Sequence, residues 1–195
     1  MTSSPPPPET ESLTRTQILV AMGITAVVLL GIAKLWLKFG SASLLPVYWN
    51  LNAIVWGVGL SWAIVLASAL LYRFWPAYRQ SASFYLELVI KPLAWPDLVW
   101  LGLLPGMSEE LLFRGVMLPA LGLNLLGLVL SSICFGILHL SSAKQWPYTI
   151  WATVVGGLLG ASAIVTGNLL VPIVVHVTTN WMSACLWKLR QSRAV

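Results

Sequence analysis

The sequence predicts an all-α, polytopic membrane bundle of about six transmembrane helices, with an interfacial segment and a broken third span. Three observations predict it. Of the 195 residues, 58% are hydrophobic and only 9% are charged, where soluble domains carry about 25% charged residues. Apolar runs of about 20 residues, the length that crosses a bilayer, recur between clusters of Gly, Pro and basic residues. Tryptophan is abundant, and Trp36, Trp49, Trp75, Trp95, Trp146 and Trp187 fall near the ends of those runs, where an interfacial aromatic belt forms.

The elements follow in order. Residues 1–16 carry Pro5–Pro8 with Ser, Thr and Glu, and read as a short disordered tail. That tail lacks the basic start of a cleaved signal, so the first apolar run is expected to be retained. The run is Ile18–Phe39, with Lys34 and Lys38 able to snorkel near its end. Leu51–Leu71 forms the second run, closed by Arg73, Pro76 and Arg79. Phe84–Val89 contains Glu87 and reads as interfacial. A third span runs from about Asp97, expected as its cap, to Leu121, with a break expected at Pro105-Gly106. Asn124–Leu140, Trp146–Thr166 and Asn168–Trp187 supply three more, with Lys144 and Gln145 as headgroup loop residues and 190–195 as a basic tail. A full span within Phe84–Leu104 would raise the count to seven. The spacing of Gly156 and Gly160, repeated by Gly157 and Ala161, suits close helix approach in lipid.

The net charge of +5 lies between apolar runs. It therefore reads as a topology signal and as anchoring to anionic lipid, with no nucleic acid as partner. With six spans, Arg15, Arg73, Arg79, Lys91, Lys144, Lys188, Arg190 and Arg193 fall on one side, and Lys34 and Lys38 on the other. That bias predicts cytoplasmic N- and C-termini. Cys134 and Cys185 lie within apolar segments and read as buried thiols rather than a disulfide.

The chemistry rests on a few costly groups. Of six acidic residues, two are adjacent within an apolar span, Glu109 and Glu110. A carboxylate there costs at least ~2.5 kcal/mol, so the default reading is a functional site. The other strongly polar groups within spans are Arg114, His139, His176 and Asn180, and the two histidines are the only ones in the chain. Glu110 and Arg114 stand four apart on one helical face, where the guanidinium fork can grip the carboxylate with two bonds. Glu109 is turned ~100° away and is left to face a cavity as general base or acid. Phe135 with His139, and His176 with Asn180, also share faces. Each pair alone is equally well read as a capping group or helix–helix glue. Ser108 beside Glu109 has no Asp–His partner pattern and reads as helix N-terminal capping.

The order Glu-Glu-x-x-x-Arg, Phe-x-x-x-His, His-x-x-x-Asn, together with Phe113-Arg114-Gly115, resembles the CPBP family. These are the CAAX prenyl endopeptidases and bacteriocin-processing enzymes, also called the ABI family. The resemblance covers roughly 92–189, as a catalytic membrane core. Residues 17–91 supply N-terminal transmembrane helices that resemble nothing in particular. The resemblance implies intramembrane peptide-bond hydrolysis, with Glu109 and His139 activating water and His176 and Asn180 stabilising the oxyanion. Glu110, Arg114 and Phe135 support the site. The implied substrate is a peptide or a membrane-associated, lipidated protein. No cofactor is favoured. The alternative is zinc on Glu109, His139 and His176, although the H-E-x-x-H signature is absent. Two other functions use the same residues. One is a non-catalytic role in bacteriocin immunity or protein binding on the same fold. The other is proton-coupled transport, disfavoured by the lack of an internal repeat.

Overall fold

The computed structural model describes residues 13–192. Most of the expected tail, and the tail residues 193–195, lie outside the described residues. The helices are α1 (Arg15–Phe39), α2 (Leu51–Phe74), α3 (Pro76–Tyr85), α4 (Asp97–Glu110), α5 (Leu118–Leu121), α6 (Leu125–Ile137), α7 (Trp146–Thr166) and α8 (Leu170–Ser192). α1 begins at Arg15, inside the expected tail, because Thr14 and Gln17 form a reciprocal capping box. Asn50 and Asn124 cap α2 and α6 through backbone N–H bonds of 2.8 and 3.0 Å.

Four helices are long and apolar enough to cross a membrane: α1, α2, α7 with the 3-10 turn before it, and α8. Their apolar windows are only 22–39% buried. Large side chains such as Val27, Trp56 and Leu125 stand more than 70% exposed. Water would not tolerate such a surface, and lipid requires it. The protein is an integral membrane helical bundle. Phe84–Leu104 holds no separate span: a π-helical turn, Leu86–Ile90, ends the α3 segment, and α4 starts at Asp97.

The third span departs from expectation in where it is irregular. α4 runs straight through Pro105-Gly106, and the irregularity comes later, as a π-helical stretch over Leu111–Met117 leading into α5. Pro105 has no N–H for the Leu101 carbonyl four residues back. Leu101 and Pro105 both line the partly open cavity described below, a position where a freed carbonyl is tolerated at membrane depth. The wider π turn also leaves the Gly115 carbonyl to accept from Leu45 N–H at 2.9 Å. This tucks the α1–α2 loop against the bundle. Asn168 holds the same loop, donating to the Tyr48 carbonyl and accepting from Tyr48 N–H.

Asp97 is not a side-chain cap. Pro96 holds that position, and the Asp97 carboxylate accepts from Ala94 N–H at 2.7 Å and from Arg15 at 2.6 and 2.8 Å, pinning α1 to α4. Ser108 is likewise no cap. Since α4 is unbroken there, its hydroxyl donates back to the Leu104 carbonyl.

α6 is shorter than its apolar run. It ends at Ile137 after 13 residues, about 20 Å of helix against a ~30 Å hydrocarbon core. The chain then turns through Leu138–Gln145. α3 satisfies that irregular stretch: Tyr85 Oη donates to the His139 carbonyl at 2.6 Å and accepts from Ser141 N–H at 3.1 Å, while Ser81 bonds Gln145. Gln145 is thus buried rather than a headgroup loop residue.

Two ladders of small residues set the helix approaches. α4 packs on α8 and α6 on α7. A Cβ on Gly106 would sit 3.0 Å from Val177 N, and one on Gly102 2.9 Å from Val177 O, so backbone meets backbone. On α7, a Cβ on Gly156 would lie 3.3 Å from Ser132 Cα. The main core lies between these contacts, around Leu112, Phe113, Val116, Phe135, Leu159 and Val175.

Candidate active site

Glu110 and Arg114 are completely buried and bonded, Arg114 Nη1 donating to Glu110 Oε1 at 2.7 Å. The grip is single rather than two-pronged. The other prong, Nη2, donates to the Gly156 carbonyl on α7 at 2.9 Å. The guanidinium also lies over the Phe135 ring, 4.3 Å from its centroid. One arginine therefore ties the third span to α6 and α7. Glu110 Oε1 accepts a second bond, from His176 Nδ1 on α8 at 2.8 Å. A carboxylate paired with arginine is an acceptor, so His176 carries its proton on Nδ1 and leaves Nε2 free.

His139 stands at the frayed end of α6. Its Nδ1 lies 2.9 Å from the Phe135 carbonyl, which only accepts. The proton is therefore on Nδ1, and Nε2 presents a lone pair. That nitrogen faces Glu109 Oε2 at 4.0 Å. Glu109 Oε2 has no hydrogen-bond partner and is shielded from solvent. Phe135 spaces the site, its ring 4.8 Å from that of His139 and 5.8 Å from that of His176.

Glu109, His139, His176 and Asn180 all line one partly open cavity of 670 Å³, whereas Glu110 and Arg114 are not among its lining residues. The remaining lining is mostly apolar. Met22 on α1 and Ile64 and Val65 on α2 contribute, so the N-terminal helices wall the cavity although they carry no motif. Tyr85 and Tyr148 line it too, their rings tilted at 36° to each other with centroids 4.5 Å apart. The sequence reading missed both tyrosines and the Gly156 carbonyl. It also missed the Glu110–His176 bond, for which the readable signal was the four-residue spacing of Gly102 and Gly106 opposite α8.

Among the described residues, no three His, Cys, Asp or Glu side chains are grouped to hold a metal. A zinc ion on Glu109, His139 and His176 would have to draw the three together. Cys134 and Cys185 are free thiols, each partly exposed.

Residues 91–182 match the family model described as type II CAAX prenyl endopeptidase, Rce1-like. A relative, the uncharacterised protein YpbD of Bacillus subtilis (strain 168), is 29% identical over 133 residues, 68% of each chain. No solved structure gives a significant match. The matched segment begins just before α4 and closes on α8, and so contains every residue of the cavity's polar cluster together with the buried Glu110–Arg114 pair. Over residues 91–182, this integral membrane protein is similar to the Rce1-like type II CAAX prenyl endopeptidases.

Proposed function

We propose that the chain is an intramembrane endopeptidase in which Glu109 and His139 activate a water for attack on a peptide carbonyl. The observation that carries this reading is the pair of facing acceptors, Glu109 Oε2 and His139 Nε2, 4.0 Å apart on the cavity wall. A water at ~2.8 Å from each acceptor would hold them ~4.4 Å apart. A small separation of the two side chains therefore admits one water. Both of its hydrogens then point at the protein, and its oxygen lone pairs point into the cavity at the substrate.

The rest of the cycle follows from the remaining groups. As the water attacks, its proton passes to the Glu109–His139 pair, which later returns it to the departing amine. Asn180 Nδ2 donates to the oxyanion. His176, fixed through Nδ1 by Glu110, flanks the same position on the cavity wall. A preformed donor such as Asn180 is worth ~2.7–4 kcal/mol when judged by removal. No metal takes part in these steps.

The substrate is a peptide, or a prenylated or otherwise membrane-associated protein, whose apolar part lies along the walls formed by α1, α2 and α8. The excess of Arg and Lys at the end of the bundle that holds Arg73, Lys91 and Lys188 supports a cytoplasmic location for both termini. The test is a Glu109→Gln protein in lipid, used to trap substrate and compared with wild type for hydrolysis of the trapped peptides. Loss of turnover with retained binding is the expected result. Wild-type hydrolysis by the variant would remove the mechanism.

A further inference from the structure

A second cleft, of 310 Å³, lies between the turn after α3 and the end of α8, lined by Lys91, Trp95, Trp187, Lys188, Gln191 and Ser192. Its chemistry has one sign. Among the described residues, the lining includes two lysines and two tryptophans and no acidic residue. Among the described residues neither lysine is in an ion pair. Asp97, close to Trp95 in the chain and near enough to Lys188 to feel its charge, is engaged by Arg15 and by Ala94 N–H. On α8, Trp187 with Gln191 and Lys188 with Ser192 stand four apart, so one face supplies most of the wall.

We propose that this cleft is a binding site for a phosphate group, delivered by the headgroup of an anionic phospholipid. The donors and their positive charge select an anion, and ammonium groups are strong phosphate ligands. The surroundings select the lipid. Trp95 is half exposed and half in the cleft, as an indole at headgroup depth is. Leu189, exposed on the same stretch of α8, offers an apolar flank to an acyl chain. The cleft adjoins the catalytic cavity, sharing Trp187 and Gln191 with its lining, and its test is independent of the peptidase reading.

The test uses the full chain in nanodiscs of phosphatidylcholine, titrated with phosphatidylglycerol and, separately, with inorganic phosphate. Bound lipid is read by native mass spectrometry. Phosphatidylglycerol is expected to be retained in preference to phosphatidylcholine. Lys91→Gln and Lys188→Gln should each weaken it about fivefold, the equivalent of ~1 kcal/mol per lysine near an anionic surface. Lys34→Gln/Lys38→Gln, at the far end of α1, should leave it unchanged. Equal retention by the Lys91→Gln/Lys188→Gln protein would overturn the site. Displacement of phosphatidylglycerol by millimolar inorganic phosphate would overturn the lipid assignment and leave a free-phosphate site.

Discussion

Replacing Arg114 by Met tests whether the buried ion pair is the structural tie of the site. Arg114 and Glu110 have no exposed side-chain surface. Methionine fills most of the volume, so packing loss is small. What disappears is the 2.7 Å bond to Glu110, the 2.9 Å bond to the Gly156 carbonyl and the cation over Phe135. Glu110 is then a buried charge held only by His176. Stranding one member of a buried pair costs ~3–5 kcal/mol. For a chain of this size each kcal/mol lowers Tm by roughly 2–4 °C, which gives a loss of about 6–20 °C. A thiol-reactive fluorogenic dye can follow unfolding in detergent, since Cys134 and Cys185 are free and become fully reactive when the bundle opens. Glu110→Leu/Arg114→Met, which removes both charges, should recover more than half of the loss, because an apolar replacement of a buried pair is often near neutral. A single variant within about 3 °C of wild type, or a double variant no more stable than the single one, would refute the assignment.

Other residues give sharper separations of folding from chemistry. Glu109→Gln should shift Tm by less than about 2 °C, since Glu109 Oε2 bonds nothing, yet reduce peptide hydrolysis at least ~100-fold, the contribution expected of a positioned base. Tyr85→Phe leaves the His139 carbonyl and Ser141 N–H without their partner. It should cost about 1–3 kcal/mol and lower kcat in a peptidase assay more than it raises KM, because it loosens the turn that carries His139. Gly106→Ala places a methyl 3.0 Å from Val177 N and 3.1 Å from Val177 Cα. Backbone atoms cannot swing aside, so α4 must move away from α8, with a loss of about 1–3 kcal/mol and a lengthened Glu110–His176 contact, visible as reduced turnover in protein that still folds.

Spacing within a single helix made part of this molecule readable. Four residues bring Glu110 to Arg114, Phe135 to His139 and His176 to Asn180, and the helical period alone predicts each pairing. The sequence could not say where a helix departs from that period. Pro105 is the visible breaker, but the helix continues through it, with Leu101 and Pro105 both on the cavity lining. The π stretch over Leu111–Met117 contains no breaker except Gly115, and it is set by what the Gly115 carbonyl and the buried Arg114 must reach. α6 shows the opposite failure. Its apolar run continues through Leu138 and Leu140, yet the helix stops at Ile137, because Tyr85 and Ser81 on α3 offer that backbone alternative bonds.

Contacts between helices are where the sequence says least, and here small residues are the only local trace of them. Arg114 reaches the Gly156 carbonyl because position 156 has no side chain: a Cβ there would stand 3.2 Å from Arg114 Nη2 and 3.1 Å from Phe135 Cδ1. Glu110 reaches His176 because Gly102 and Gly106 let α4 lie against the backbone of α8 one and two turns earlier. In lipid, no hydrophobic force distinguishes one helix face from another, so close packing and buried polar bonds decide which faces meet. The glycine ladders and the polar residues are thus two halves of one device. The first brings the backbones near enough for the second to bond, and the bonds fix which faces stay together. Glu109, carried on the same turn as Glu110 but pointed ~100° away, is positioned by that device without taking part in it, which is why its carboxylate can remain unbonded beside His139.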